Sequence, residues 1–204
     1  MRPPWLEPPR GRVLACAACM DARPRLSPAL DALLADLCKR VDAFRHIRPT
    51  AVLVVAGAAQ EHSRATIRGF PRGPTVTVAR VRRRYEVTLR PLFFQSANGL
   101  GRLVTLCHEL FHVGPACDGM LDEHRRHARA GSGFDDVVER LARDYAARAP
   151  HRLLEPLAHE GEVLFRHWRV RPGGETDAGR YTERDLFEGP LCMHTPRGAR
   201  SGWW

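Results

Sequence analysis

Thr105-Leu106-Cys107-His108-Glu109-Leu110-Phe111-His112 carries the pattern H-E-x-x-H inside an apolar run. An α-helix turns about 100° per residue, so histidines four positions apart stand one above the other on one face. Two neutral imidazoles so placed can fill two corners of a zinc tetrahedron at about 2.0–2.1 Å. The Glu109 carboxylate, beside the first histidine, is placed to accept a proton from a metal-activated water. Only three letters are fixed, so the surrounding sequence decides what the pattern is worth. A buried helix with two satisfied histidines and a surface glutamate would read the same.

The flanks support a helix. Leu100, Leu103, Val104, Cys107, Leu110 and Phe111 recur at helical spacing and form one core-facing stripe. Ser96 or Asn98 can cap its start, and Gly114-Pro115 stops it after His112. The expected helix covers residues 98–113, with both histidines flanking the stripe, where a cleft can open.

A chain of 204 residues is one domain, or one domain with a small appendage. Its 44% hydrophobic content supports a core without disulfides. No stretch reaches the ~20 apolar residues of a membrane span. The start, Met1-Arg2-Pro3-Pro4-Trp5, lacks the apolar run and cleavage site of a secretory signal, so the expectation is a cytoplasmic protein.

The net charge of +9 comes almost wholly from arginine, Lys39 being the only lysine. Eight arginines crowd between Arg64 and Arg90. They could meet phosphates, but a solvated sheet face accounts for them as well. Nucleic-acid contact is therefore expected to be weak and indifferent to sequence at most. Cys16-Ala-Ala-Cys19 has no second pair to make a zinc ribbon and reads as structural or incidental; Cys38 and Cys107 read as core residues.

Residues 1–26, rich in Pro and Arg, read as irregular. Ser27-Pro28 then opens an amphipathic helix with Leu30, Leu33, Leu34, Leu37, Val41 and Phe44 on one face. Residues 51–56 read as a buried strand and 62–69 as a weaker one. Residues 75–81 and 85–90 alternate in period two and read as a hairpin. After the motif helix and a loop, Phe134, Val137, Val138, Leu141 and Tyr145 mark another helix, ended by Pro150. The expected motif domain spans 27–150. A C-terminal extension, 151–204, holds a hairpin and a flexible tail. The fold class is α+β: a small mixed sheet backing the motif helix, with additional helices.

A catalytic zinc site has three protein ligands and one open position. Beyond His112 the residues themselves offer His127, His124, Asp118 and Glu139. Pro115 occupies the position at which an extended H-E-x-x-H-x-x-G-x-x-H motif needs its turn glycine.

The run 105–113, followed by His127 and Phe134-Asp135-Asp136-Val137-Val138, resembles the SprT-like and phage-type metallopeptidases. The resemblance covers roughly residues 62–148. It implies a compact zincin fold binding Zn2+ through His108, His112 and His127, with Glu109 as general base. It implies a protein or peptide substrate. An oxyanion donor is expected too, and Tyr145, Tyr181 or an arginine offers one, although Tyr145 also fits the apolar face of its helix.

Overall fold

The computed structural model describes residues 23–58, 63–125 and 133–193. The irregular segment expected up to residue 22, Cys16-Ala-Ala-Cys19, His127 and the tail from Thr195 lie outside them.

The chain is α+β, with five α-helices and two sheets among the described residues. Helix α1 (Leu26–Arg40) buries Leu30, Leu33, Leu34 and Leu37, the stripe expected from spacing. It ends earlier than its apolar pattern: Val41 and Phe44 stay buried, but the latter lies in a separate single turn, Asp42–Phe44. Nor does Ser27 cap the helix. It is buried, and its hydroxyl accepts the N–H of Arg166 at 3.0 Å, 139 residues away.

Eight strands follow: β1 (Val52–Ala56), β2 (Ala65–Gly69), β3 (Thr75–Val78), β4 (Val81–Arg83), β5 (Tyr85–Leu89), β6 (Gly161–Trp168), β7 (Arg180–Thr182) and β8 (Leu186–Met193). The main sheet runs β2-β5-β1-β6-β8, and β4-β3-β7 form a small second one. Strand β5 lies parallel to β1 and antiparallel to β2, which makes β2 an edge.

Two sequence expectations are corrected here. Residues 75–90 do not form one hairpin. The hairpin is β3-β4, turned by Ala79 and Arg80 in left-handed backbone, and β5 leaves it to enter the main sheet. All five residues of β5 are buried. Its alternation looked half-exposed because Glu86 and Thr88 are polar, but both sit inside a hydrogen-bond network. The second correction concerns the C-terminal part: β6 and β8 complete the main sheet, β6 meeting β1 at the Ala56–His167 pair, so residues 161–193 are no appendage.

Alternation along the strands separates two cores. Val52, Val54, Tyr85, Val87 and Leu89 face the helices. Leu53 and Val55 face the small sheet, with Phe70, Val76 and Val78. The remaining helices are α2 (Pro91–Ser96), α3 (Gly99–Phe111), α4 (Phe134–Ala146) and α5 (His151–Ala158). Helix α4 ends at Ala146, and Pro150 opens α5 rather than closing α4. No helix among the described residues is long and apolar enough to cross a membrane.

Helix α3 is buried on more than its stripe. Leu106 and Arg102 are also internal, and Arg102 is fully buried. Its guanidinium donates to the Phe93 and Phe94 carbonyls of α2 (3.2 and 2.7 Å) and to those of Leu157 and His159 at the end of α5 (2.6 and 3.1 Å). One cation thus satisfies orphan carbonyls of two helices and locks both to α3. Burial lowers its pKa to about 10, still cationic at neutral pH. Arg102→Met keeps the bulk and strands these carbonyls. It should cost on the order of 3 kcal/mol by urea titration, and a loss below about 1 kcal/mol would contradict this role.

On the opposite face, the fully buried Glu86 carboxylate accepts from Arg68 (3.1 and 2.9 Å), Arg171 (2.8 Å), Trp168 (2.7 Å) and Thr88 (2.9 Å). Burial alone would raise its pKa, but the two guanidiniums overcome this and hold it below the ordinary 4.5. A carboxylate depressed in the fold contributes stability above its unfolded pKa and loses it as pH falls through the folded value. Glu86→Gln should therefore destabilise the protein near neutrality by about 3 kcal/mol. It should also flatten the loss of stability below pH 4.5, followed by chemical denaturation across that range. An unchanged acid slope would contradict the assignment.

Candidate active site

Helix α3 starts at Asn98, whose Oδ1 accepts the Gly101 N–H at 2.8 Å. Its last turn carries His108 and Glu109, and His112 is the C-terminal cap. The chain then doubles back: Gly114 N–H reaches the Met120 carbonyl and Asp122 N–H reaches that of His112 (3.0 and 2.8 Å). The sequence placed the stop correctly.

The His108 and His112 rings lie 5.1 Å apart between centroids, at 74°. Phe134, the first residue of α4, packs against both. It stacks on His112 (5.2 Å, 20°) and meets His108 edge-on (4.9 Å, 72°). It also contacts Phe111 at 5.3 Å. The next residue, Asp135, places Oδ1 3.4 Å from Nδ1 of His108. A carboxylate there favours the proton on Nδ1 and leaves the Nε2 lone pair for a ligand. Sequence spacing read Phe134 as a residue on the buried face of its helix. The packing of Phe134 and Asp135 on the imidazoles is tertiary.

Glu109 is 7% exposed. Burial pushes its pKa up to about 7, opposed by a hydrogen bond donated by the Ile67 backbone N–H of β2. Beside it opens a cavity of about 360 Å³ whose walls include Ser63, Arg64, Thr105, His108, Glu109 and Glu139. The general-base candidate, one ligand candidate and the edge strand therefore share one space.

The other candidates fall elsewhere. Asp118 lies in the loop after His112, its Oδ1 accepting the Met120 N–H. His124 is exposed on the single turn Glu123–Arg125. Glu139 reaches the cavity wall but pairs with Arg143 at 2.6 Å. Among the described residues, no three His, Cys, Asp or Glu side chains gather closely enough to hold a metal ion. None of Asp118, His124 and Glu139 joins His108 and His112 in such a group.

The described residues on either side of His127 both touch the histidine pair's surroundings. Arg125 lays its guanidinium 4.2 Å over the Phe111 ring and donates to the Phe111 carbonyl. Phe134 packs on the imidazoles themselves.

Both tyrosines considered as oxyanion donors are committed elsewhere, Tyr145 to Asp36 (2.9 Å) and Tyr181 to Asp177 (2.8 Å). Arg64 is the arginine on the cavity wall. The arginine-rich stretch does not form one surface: Arg68 is bound to Glu86, and Arg83 and Arg90 are buried. Cys38 and Cys107 are buried free thiols, as core residues should be.

No protein-family model matches this chain, nor does any curated protein or solved structure.

Phe134→Ala should cost about 3–5 kcal/mol, the usual penalty for emptying a buried aromatic position. Phe134→Leu should cost clearly less. Thermal or denaturant unfolding of the two variants checks the order, and equal losses would show that ring packing on the histidines contributes little.

Proposed function

We propose that the protein is a zinc-dependent metallopeptidase in which His108, His112 and His127 hold the metal and Glu109 is the general base. The observation that carries this reading is the shared cavity: a buried carboxylate next to a paired imidazole, bordered by the edge strand of the main sheet among the described residues. Asp135 supports His108 as a ligand by holding its Nδ1. His127 follows from the resemblance stated above, and the anchoring of Arg125 and Phe134 beside the pair is consistent with it.

The edge favours an extended peptide as substrate. Arg90 N–H bonds to the Arg64 carbonyl and Phe70 N–H to that of Arg84, so even-numbered residues of this stretch direct their backbone groups at β5. Ala65, Ile67 and Gly69 therefore direct theirs outward. The Ala65 carbonyl accepts the Ser63 hydroxyl and the Ile67 N–H faces Glu109, so a peptide adding as a further strand would pair with the remaining outward groups and lie across Glu109.

When bound, zinc supplies a positive charge that polarises a carbonyl and acidifies water. A Glu109 carboxylate oxygen takes the proton of the attacking water and passes it to the departing amine. The Arg64 guanidinium, on the cavity wall, offers charge for the developing oxyanion.

Elemental analysis of protein purified without added metal should find about one zinc per chain. His127→Ala should lower zinc affinity far more than His124→Ala or Asp118→Ala. Glu109→Gln should keep the metal and the fold and slow hydrolysis of an unfolded protein such as casein by about 100-fold or more. Folded protein without affinity for zinc, or unchanged turnover in Glu109→Gln, would overturn the proposal.

A further inference from the structure

Strand β2 touches a second cavity. Beyond Ile67 its outer edge borders a groove of about 300 Å³, walled by Met120 and Leu121 on the helix side and by residues 173–175 on the other. Pro71 and Pro74 add apolar surface, and Arg72 and Glu175 stand exposed among the lining residues.

Both walls are pinned from inside. The buried Tyr85 hydroxyl accepts the Gly119 N–H at 3.0 Å and donates to the Met120 carbonyl at 2.9 Å. Arg68, anchored on Glu86, donates to the carbonyls of Pro172 and Gly173 (2.8 and 3.0 Å). The helix-side wall also depends on two glycines. A Cβ at Gly69 would lie 1.7 Å from the Gly119 carbonyl oxygen, and Gly119 has φ +107°. A loop held this firmly still leaves Met120 52% exposed on the groove. An apolar side chain fixed at the mouth of a rigid groove is the arrangement of a preformed binding site.

The groove continues the line of the active-site cavity. Ser63 and Ala65 border that cavity, Ile67 meets Glu109, and residues 67–72 border the groove. A strand rises about 3.3 Å per residue, so Gly69, the last residue of β2 and the one on which the Gly119–Met120 wall packs, lies roughly 7 Å beyond the Glu109 contact at Ile67. A peptide paired with β2 advances at the same rate. We propose that this groove is a specificity subsite that takes a bulky apolar side chain of an extended peptide substrate, about two residues from the bond cleaved. The proposal rests on the peptidase reading above and adds the determinant of which peptides are chosen.

The test compares the zinc-loaded wild type with Met120→Asp, a change at a half-exposed side chain outside the catalytic group. Both digest a randomised decapeptide library, and the cleaved bonds are sequenced by mass spectrometry. The wild type should enrich Leu, Ile, Met or Phe about tenfold at one position about two residues from the bond. Met120→Asp should lose that enrichment while cleaving dipeptide-length probes as before. A flat profile in the wild type, or the same profile in both proteins, overturns the subsite and leaves the peptidase reading intact.

A second measurement does not need turnover. Binding of a fluorescein-labelled peptide of alternating Leu and Thr is followed by anisotropy, in Glu109→Gln with and without Met120→Asp. Affinity should fall about tenfold with Met120→Asp. Equal affinities overturn the subsite. A Met120-dependent affinity, together with a zinc-loaded wild type that cleaves nothing, would support the groove as a peptide site while removing the peptidase reading.

Discussion

The Glu86 carboxylate on β5 is buried completely, and Arg68 of β2 and Arg171 after β6 close on it from two sides. Burying one carboxylate among two guanidiniums is tolerable because every partner is hydrogen-bonded and the charges offset each other. The consequences reach beyond the pair. Arg68 fixes the edge strand in register against β5 and holds the Pro172 and Gly173 carbonyls with its remaining nitrogen. The strand that borders both cavities is thus positioned from beneath, by a charge network.

The other face is organised by apolar contact and by a second buried ion. Helix α3 carries Leu103, Leu106, Cys107 and Leu110 into the core, which sets the direction in which its last turn points. Arg102 ties the helix to the ends of α2 and α5 through their carbonyls. The two devices differ in kind. Glu86 joins strands through opposite charge, whereas Arg102 joins helices by donating to carbonyls near their C-terminal ends.

Between these anchors sits Glu109. Its surroundings oppose charge through burial, and a single backbone donor from Ile67 favours it. That donor belongs to the edge strand, so the orientation of the carboxylate depends on the same Glu86 network that fixes β2. Phe134 and Asp135, at the start of α4, hold the imidazoles from the other direction. The site is therefore assembled from three elements far apart in the chain, with the motif supplying only the central one.

The sequence by itself determined the local elements: the α1 stripe, the buried run of β1, and a motif helix capped at Ser96 or Asn98 and stopped at Gly114, with the structure choosing Asn98. Each is written in spacings of a few residues, which helical and strand periodicities impose without reference to the rest of the chain. The adjacency of His108, Glu109 and His112 was legible for the same reason. Tertiary structure alone decided that β5 crosses into the main sheet, that β6 and β8 complete it, and that Arg68 serves Glu86 rather than solvent. A polar residue in period-two alternation looks exposed until its partners are known, and the partners of Glu86 lie 18 and 85 residues away. The placing of Phe134 and Asp135 on the histidines, and of Met120 on the second groove, likewise depends on contacts across the chain that no local period encodes.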